Sequence, residues 1–165
     1  MRNAFQEELD SIHGTLVRMG KLVEESMSSA TKALLEPNLE LAQKIIKEDD
    51  TIDDMQHELD ARTMLIIARQ SPVAGDLRTL VTSLRMSADL ERMGDMAHHI
   101  AKSARIRFPN CAVPNELTAT ITEMGKVANR IIAKLITVMR DRDVVRALEI
   151  AIDDDEMDKL HRQLI

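Results

Sequence analysis

Tryptophan and tyrosine are missing from this chain, and its only aromatic side chains are Phe5 and Phe108. Glycine and proline are scarce, while Leu, Ile, Ala, Glu, Lys and Arg are abundant, a balance that favours helices. Cysteine occurs once, so no intrachain disulfide can form, and Cys111 in a loop-like stretch fits a reducing cytosol rather than a catalytic thiol. Basic blocks are also absent. The formal charge of −6 is spread over mixed acidic and basic residues, which gives a nucleic-acid backbone little to hold. No apolar run approaches the roughly 20 residues that span a bilayer, and MRNAFQEELDSIH at the start is amphipathic rather than signal-like. These absences predict a cytoplasmic protein without direct membrane insertion, free to meet a membrane-bound partner. With 165 residues it can bury a core without a disulfide or a structural metal.

What is present is helical periodicity. Phe5, Leu9, Ile12, Leu16, Met19, Val23, Met27, Ala30 and Leu34 alternate steps of three and four, one face of a first helix. Glu36-Pro37-Asn38 breaks it, and Asn38 is a suitable cap for a second helix carrying Leu41, Ile45, Ile52, Met55, Leu59 and Ile66 inward to about Gln70. Ser71-Pro72 stops that pattern and starts a third helix, expected from Pro72 to Arg107 with Pro at its first position. Residues 108–115 hold Pro109 and Pro114 without helical period and read as a linker, with Asn115 or Thr118 available as the next cap. A fourth helix is expected from Glu116 to Arg140 and a fifth from Asp143 onward.

The last two helices repeat the first two. Under a gapless shift of 105 positions Met19-Gly20-Lys21 falls on Met124-Gly125-Lys126, Asp49-Asp50 on Asp154-Asp155, Asp53 on Asp158 and Leu59 on Leu164. The expected fold is therefore all-α: tandem three-helix bundles over 1–107 and 116–165, the second incomplete at two helices. Uncovered apolar faces on the fourth and fifth helices would then mean either a truncated second bundle or completion by another chain, and a homo-oligomer is expected.

Carboxylates mark the candidate chemistry. Asp49, Asp53, Gln56 and Asp60 form a stripe on the second helix, about 100° round from its apolar row. On the third helix Glu91, Asp95, His98 and Lys102 form a similar stripe beside Leu90, Met93, Ala97, Ile100 and Ala104. Carboxylates at i and i+4 stand about 6 Å apart, so facing pairs from two helices make an oxygen cluster suited to a hard or intermediate cation. Asp49, Asp53, Glu91 and Asp95 are the first set, and Asp154 and Asp158 repeat the first pair. The bland alternative is a solvated face with Asp49 and Asp50 balanced by Lys47 or Arg92. The Asp-x-x-His pairs Asp54/His57, Asp95/His98 and Asp158/His161 have metal-ligand spacing, but the repeat does not align them.

Other chemistries are excluded by missing parts. A di-iron carboxylate bundle needs Glu-x-x-His on two helices, and none occurs. There is no Gly-rich phosphate loop, no supported Ser/His/Asp arrangement and no Cys/His zinc spacing, so no enzyme is expected. Gly20 and Gly125, inside helices where glycine costs roughly 1 kcal/mol, point to close helix approach, and the methionines to core filling.

Two segments carry a resemblance. ARQSPVAGDLR (Ala68 to Arg78) followed by SADLERMGD (Ser87 to Asp95) resembles the paired signatures of the PhoU family, and Glu48-Asp49-Asp50-x-x-Asp53 resembles that family's E/D-x-x-x-D element. The resemblance implies two similar three-helix bundles, with divalent or iron cations held at Asp49, Asp53, Glu91 and Asp95 and, from the second repeat, Asp154 and Asp158. The second DLERxGD is absent. The resemblance further implies negative regulation of phosphate uptake and phosphate-starvation signalling, as an adaptor between the ATPase subunit of a phosphate ABC importer and a sensor histidine kinase. Arg92, inside the signature, either pairs with the acids or meets a partner. The alternatives are a helical-bundle carboxylate metalloenzyme and a metal-independent structural regulator.

Overall fold

The computed structural model describes residues 2–164. Five long helices make up the fold: α1 (Arg2–Leu35), α2 (Leu39–Gln70), α3 (Ala74–Arg107), α4 (Thr118–Asp141) and α5 (Val144–Arg162). Among the described residues no helix is long and apolar enough to cross a membrane. Asn38 caps α2, its side chain accepting from the Leu41 N–H, and Asp143 caps α5 by accepting from Arg146.

Two helix starts differ from the sequence reading. Helix α3 begins at Ala74 rather than Pro72, because Ser71 closes α2 in the left-handed region (φ 44) and Val73 is extended. A helix cannot run back through those residues. Before α4, Asn115–Leu117 form a single 3-10 turn, and α4 starts without a side-chain cap from Asn115 or Thr118.

Helices α1, α2 and α3 pack mutually, α4 lies against α1, and α5 lies against α4. The linker separates the repeats in sequence but not in space. Ile132, Ile136 and Met139 of α4 join Ile12, Leu16, Met19, Val23, Ile52, Leu59 and Leu90 in one core. The expectation of an uncovered α4 is thus corrected: its apolar face is buried on α1. Helix α5 does expose apolar groups, with Val144, Val145, Leu148 and Ile152 each about 70% accessible or more.

The two repeat-equivalent glycines explain how α1 and α4 meet. A Cβ on Gly20 would press on Ile136 and Met139, and one on Gly125 would overlap Thr31. Thr31 and Ile136 are themselves equivalent under the 105-residue shift. The two helices therefore cross antiparallel about a local pseudo-two-fold, each offering a glycine to the other's equivalent side chain. Along α1 to α3 the core changes character, from Leu, Ile and Met to the alanine-rich set Ala30, Ala33, Ala42, Ala97, Ala101 and Ala104. Small side chains bring the backbones closer at that end, and the candidate site lies where the change occurs.

Candidate functional site

Asp49 sits on α2 between Ile45 of the alanine-rich cluster and Ile52 of the larger one, and it is only 8% exposed. Burial comes from α3. Gly94, inside the DLERMGD signature, has no side chain to hold α2 away; a Cβ there would stand 3.0 Å from Ile52 and 3.7 Å from Asp49 Oδ1. The antiparallel register this sets is repeated at Asp60, which accepts from the Ser87 hydroxyl at 2.9 Å.

The two polar stripes meet across this outer α2/α3 furrow. His98 Nδ1 is hydrogen-bonded to Asp49 Oδ2. Asp49, Asp95 and His98 each offer one ligand atom, and the three atoms lie within 4.8 Å of one another. Metal–oxygen and metal–nitrogen distances of about 2.0–2.2 Å place ligand pairs at most about 4.4 Å apart, so small side-chain rotations would close the set on one ion.

Asp53 and Glu91 flank the trio and make its field more negative. The Asp53 carboxyl is pushed above the ordinary carboxylate range, first by desolvation and then by Asp49, Asp95 and Asp50, with His57 opposing. Glu91 is raised in the same way, by desolvation and then by Asp95, Asp53 and Asp49. All four first-set acids therefore share one neighbourhood. Among the described residues none of the four is ion-paired to Lys or Arg; the sole ion-pair contact is Asp49 to His98. The balancing Lys47 or Arg92 of the bland reading is thus not seen, and Arg92 is exposed.

Two atoms here lack partners. Asp53 Oδ1 and His98 Nε2 are both buried from solvent without a hydrogen bond. A buried acceptor left unmet costs about 1–3 kcal/mol. Two carboxylates and an imidazole form an oxygen and nitrogen donor set, and a cation there would relieve the mutual repulsion of Asp53 and Glu91. The residues present fit a metal. Further along the furrow the stripe is satisfied internally, since Asp60 also accepts from Gln56 Nε2 at 2.7 Å.

His98 is the residue that residue-type counting undervalues. Its spacing on the stripe with Glu91 and Asp95 is visible in the sequence, but the 105-residue shift carries it past residue 165, so the repeat gives it no weight. Of the other pairs, Asp54, His57, Asp158 and His161 are all exposed. Asp154 and Asp158 stand exposed on α5 and, among the described residues, are not brought together with other ligand groups. The buried carboxylate of α5 is instead Asp153, which faces α4. It is held by Arg130 Nε at 3.0 Å and Lys134 Nζ at 2.7 Å.

Comparison with known proteins agrees over nearly the whole chain. A family model described as the PhoU domain matches residues 16–104. The chain is 38% identical over 164 residues to the phosphate-specific transport system accessory protein PhoU homolog 2 of Mycobacterium tuberculosis, covering 99% of this chain and 77% of that one. It is 34% identical to the corresponding PhoU homolog of Clostridium acetobutylicum, covering 99% and 74%. The crystal structure of the phosphate transport system regulatory protein PhoU from Streptococcus pneumoniae superposes with a TM-score of 0.86 at 28% identity, covering 97% and 74%. That of PhoU from Pseudomonas aeruginosa gives 0.87 at 27% identity, covering 96% and 76%. With a matching family model, relatives aligned along nearly the whole of this chain and about three quarters of their own length, and the same helical architecture, this chain belongs to the PhoU family.

Proposed function

We propose that this protein is an accessory of a phosphate transport system that regulates uptake and phosphate-starvation signalling through its helical surfaces, with a cation held in the α2/α3 furrow. The observation that carries the first part is the 38% identity, over 99% of this chain and 77% of the relative, to a phosphate-specific transport accessory protein. The cation rests on the chemistry of the furrow: clustered carboxylates without a Lys or Arg ion pair, His98 among them, and two unpartnered buried atoms. A nitrogen donor beside two carboxylates favours zinc, iron or manganese over calcium or magnesium. The adaptor role places the importer's ATPase subunit and a sensor kinase as the partners.

A carboxylate metalloenzyme is disfavoured by where the acids lie. The core among the described helices is lined by Leu, Ile, Met and Ala, and the acids gather at an outer furrow. The metal reading is tested by titrating the chelator-treated chain with Zn(II), Fe(II) and Mn(II) in a calorimeter. Asp49→Asn, Asp95→Asn and His98→Ala should each weaken the preferred ion by about 10- to 100-fold, while Asp154→Asn should not. Equal affinity in wild type and the triple variant would remove the site. The adaptor reading is tested separately by co-purification with the ATPase subunit, and retained capture by the triple variant would make the partner surface metal-independent.

A further inference from the structure

A small polar cavity lies between α1, α3 and the turn from α4 to α5, on other ground than the acid furrow between α2 and α3. Its polar lining is Gln6 and His13 of α1, Asp76, Thr79 and Ser83 of α3, and Arg142 of the turn. The cavity volume is about 130 Å³. Pockets for drug-sized ligands run to roughly 300–1,000 Å³, so only a small occupant fits. Thr79 and Ser83 donate their hydroxyl protons to the carbonyls of Gly75 and Thr79, at 3.0 and 2.9 Å. Both hydroxyl oxygens are therefore left as acceptors, and Ser83 is only 6% exposed. Gln6 has one amide N–H committed to Asp10 at 3.1 Å and a second still free.

The charges in the lining indicate what the occupant is. Arg142 closes α4 in the left-handed region (φ 54), a conformation glycine would adopt without strain. Its neighbours Asp141 and Asp143 are paired with Arg140 and Arg146. Among the described residues Arg142 has no ion pair, and neither does Asp76, although both line the same small cavity. Opposite charges that share a cavity without closing on each other leave room for a group that bridges them. The guanidinium calls for an anion, while the carboxylate and the two hydroxyl oxygens call for a proton donor on the same occupant. A tetrahedral oxyanion that keeps a proton meets both demands. We propose that this cavity binds inorganic phosphate, its bare oxygens accepting from Arg142, His13 and Gln6 and its P–O–H donating to Asp76 or Ser83. Sulfate has the same shape but no proton at neutral pH, and it would set a bare oxygen against Asp76. The assignment goes beyond the accessory role by giving this chain a phosphate site of its own. Because the lining comes from both repeats, the bound ion would tie the α4/α5 hairpin to the first bundle.

The test uses the chelator-treated chain, so that no cation in the furrow can supply the signal. Calorimetric titration with sodium phosphate should show one saturable site with a Kd of about 0.1–1 mM, since a five-atom ligand at the ceiling for very small ligands reaches only the micromolar range. Sodium sulfate should bind at least about tenfold more weakly, because it leaves Asp76 facing an oxygen that cannot donate. Glycerol phosphate should also bind at least about tenfold more weakly, because its added atoms exceed a cavity of this size. Arg142→Gly keeps the left-handed turn while removing the guanidinium. It should weaken phosphate at least about tenfold without lowering the melting temperature. Asp76→Asn puts an amide donor where the carboxylate stood, and it should bring sulfate to within about threefold of phosphate. Absence of saturation below about 10 mM phosphate, equal binding of sulfate by the wild type, glycerol phosphate as tight as phosphate, or an Arg142→Gly variant that binds unchanged would each overturn the proposal. None of these outcomes bears on the furrow, which shares no residue with the cavity.

Discussion

The first bundle and the α4/α5 hairpin carry the same sequence pattern in two different surroundings. Asp49 lies beneath α3 and is hydrogen-bonded to His98, whereas its counterpart Asp154 is exposed. Ile52 and Leu59 are 1% exposed, whereas their counterparts Met157 and Leu164 are only partly covered. The ion pairs between neighbouring helices are reversed in sign. In the first repeat Lys44 of α2 meets Glu25 of α1, whereas in the second the acids Glu149 and Asp153 of α5 meet the bases Lys134 and Arg130 of α4. Arg130 occupies the position of Glu25, and Asp153 that of Glu48. In the first repeat the carboxylate pattern faces α3 and gathers into the candidate site, whereas in the α4/α5 hairpin the charge pairing falls on a different residue, Asp153.

The comparison is sharpest at Leu59 and Leu164, the same residue at equivalent positions. Leu59→Ala should cost about 2–5 kcal/mol, the usual penalty for emptying a packed site. Leu164→Ala should cost less than about 1 kcal/mol, because Leu164 is already partly exposed and lies just past the end of α5. Urea unfolding of the two variants measures the difference. Similar losses at both positions would mean that the hairpin has a packed core of its own.

How far this asymmetry could be read from the sequence depends on the residue. Helical period gave the inward faces of α1, α2 and α3, because burial of one stripe is local and periodic. Asp49, Asp53, Glu91 and Asp95 were also legible as facing stripes, and the structure gathers them. The position of α4 was not legible, because Ile136 on Gly20 is a contact across more than 100 residues and no periodicity encodes it. Asp153 escaped for a related reason. The repeat drew attention to Asp154, while the buried position on α5 is decided by Arg130 and Lys134 of α4, which have no charged counterpart of the same sign in α1. The start of α3 was misplaced because Pro72 is compatible with a helix start, and only the left-handed Ser71 and extended Val73 show that the reversal needs two more residues.

The paired glycines give a smaller effect. Alanine in a helix interior gains about 0.5–1 kcal/mol over glycine, so any loss must come from crowding. At Gly125 the new methyl would overlap Thr31, a stiff β-branched side chain whose hydroxyl is bonded to the Met27 carbonyl at 2.9 Å. At Gly20 the nearest atom is Met139 Cε at 2.8 Å, the free end of a flexible chain. Overpacking costs about 1–3 kcal/mol where neighbours cannot yield. Gly125→Ala should thus lose about 1–2 kcal/mol and Gly20→Ala should be nearly neutral by chemical denaturation. The reverse order would break the asymmetry of the α1/α4 crossing.

The smallest effect, and the one that separates the two regions by sign, is the response to pH. Asp53 and Glu91 have raised pKa values, so their ionised forms are penalised in the fold; that penalty is complete above the folded pKa and is relieved as pH falls toward the ordinary carboxylate range. Asp153 is lowered, foremost by its hydrogen bond to Lys134, so its stabilisation is present above the unfolded pKa and is lost as pH falls through the still lower folded value. Mild acidification should therefore strengthen the acid furrow before stronger acid loosens the α4/α5 contact. Asp53→Asn in the metal-free chain at neutral pH should raise stability by about 0.2–0.5 kcal/mol, the size of one i,i+4 like-charge repulsion, and should flatten the rise on mild acidification. Asp153→Asn should lower the melting temperature at neutral pH and converge with wild type in strong acid. If Asp53→Asn instead destabilised the metal-free chain, the furrow would be a self-satisfied polar network, and the relief of repulsion that favours a cation there would be gone.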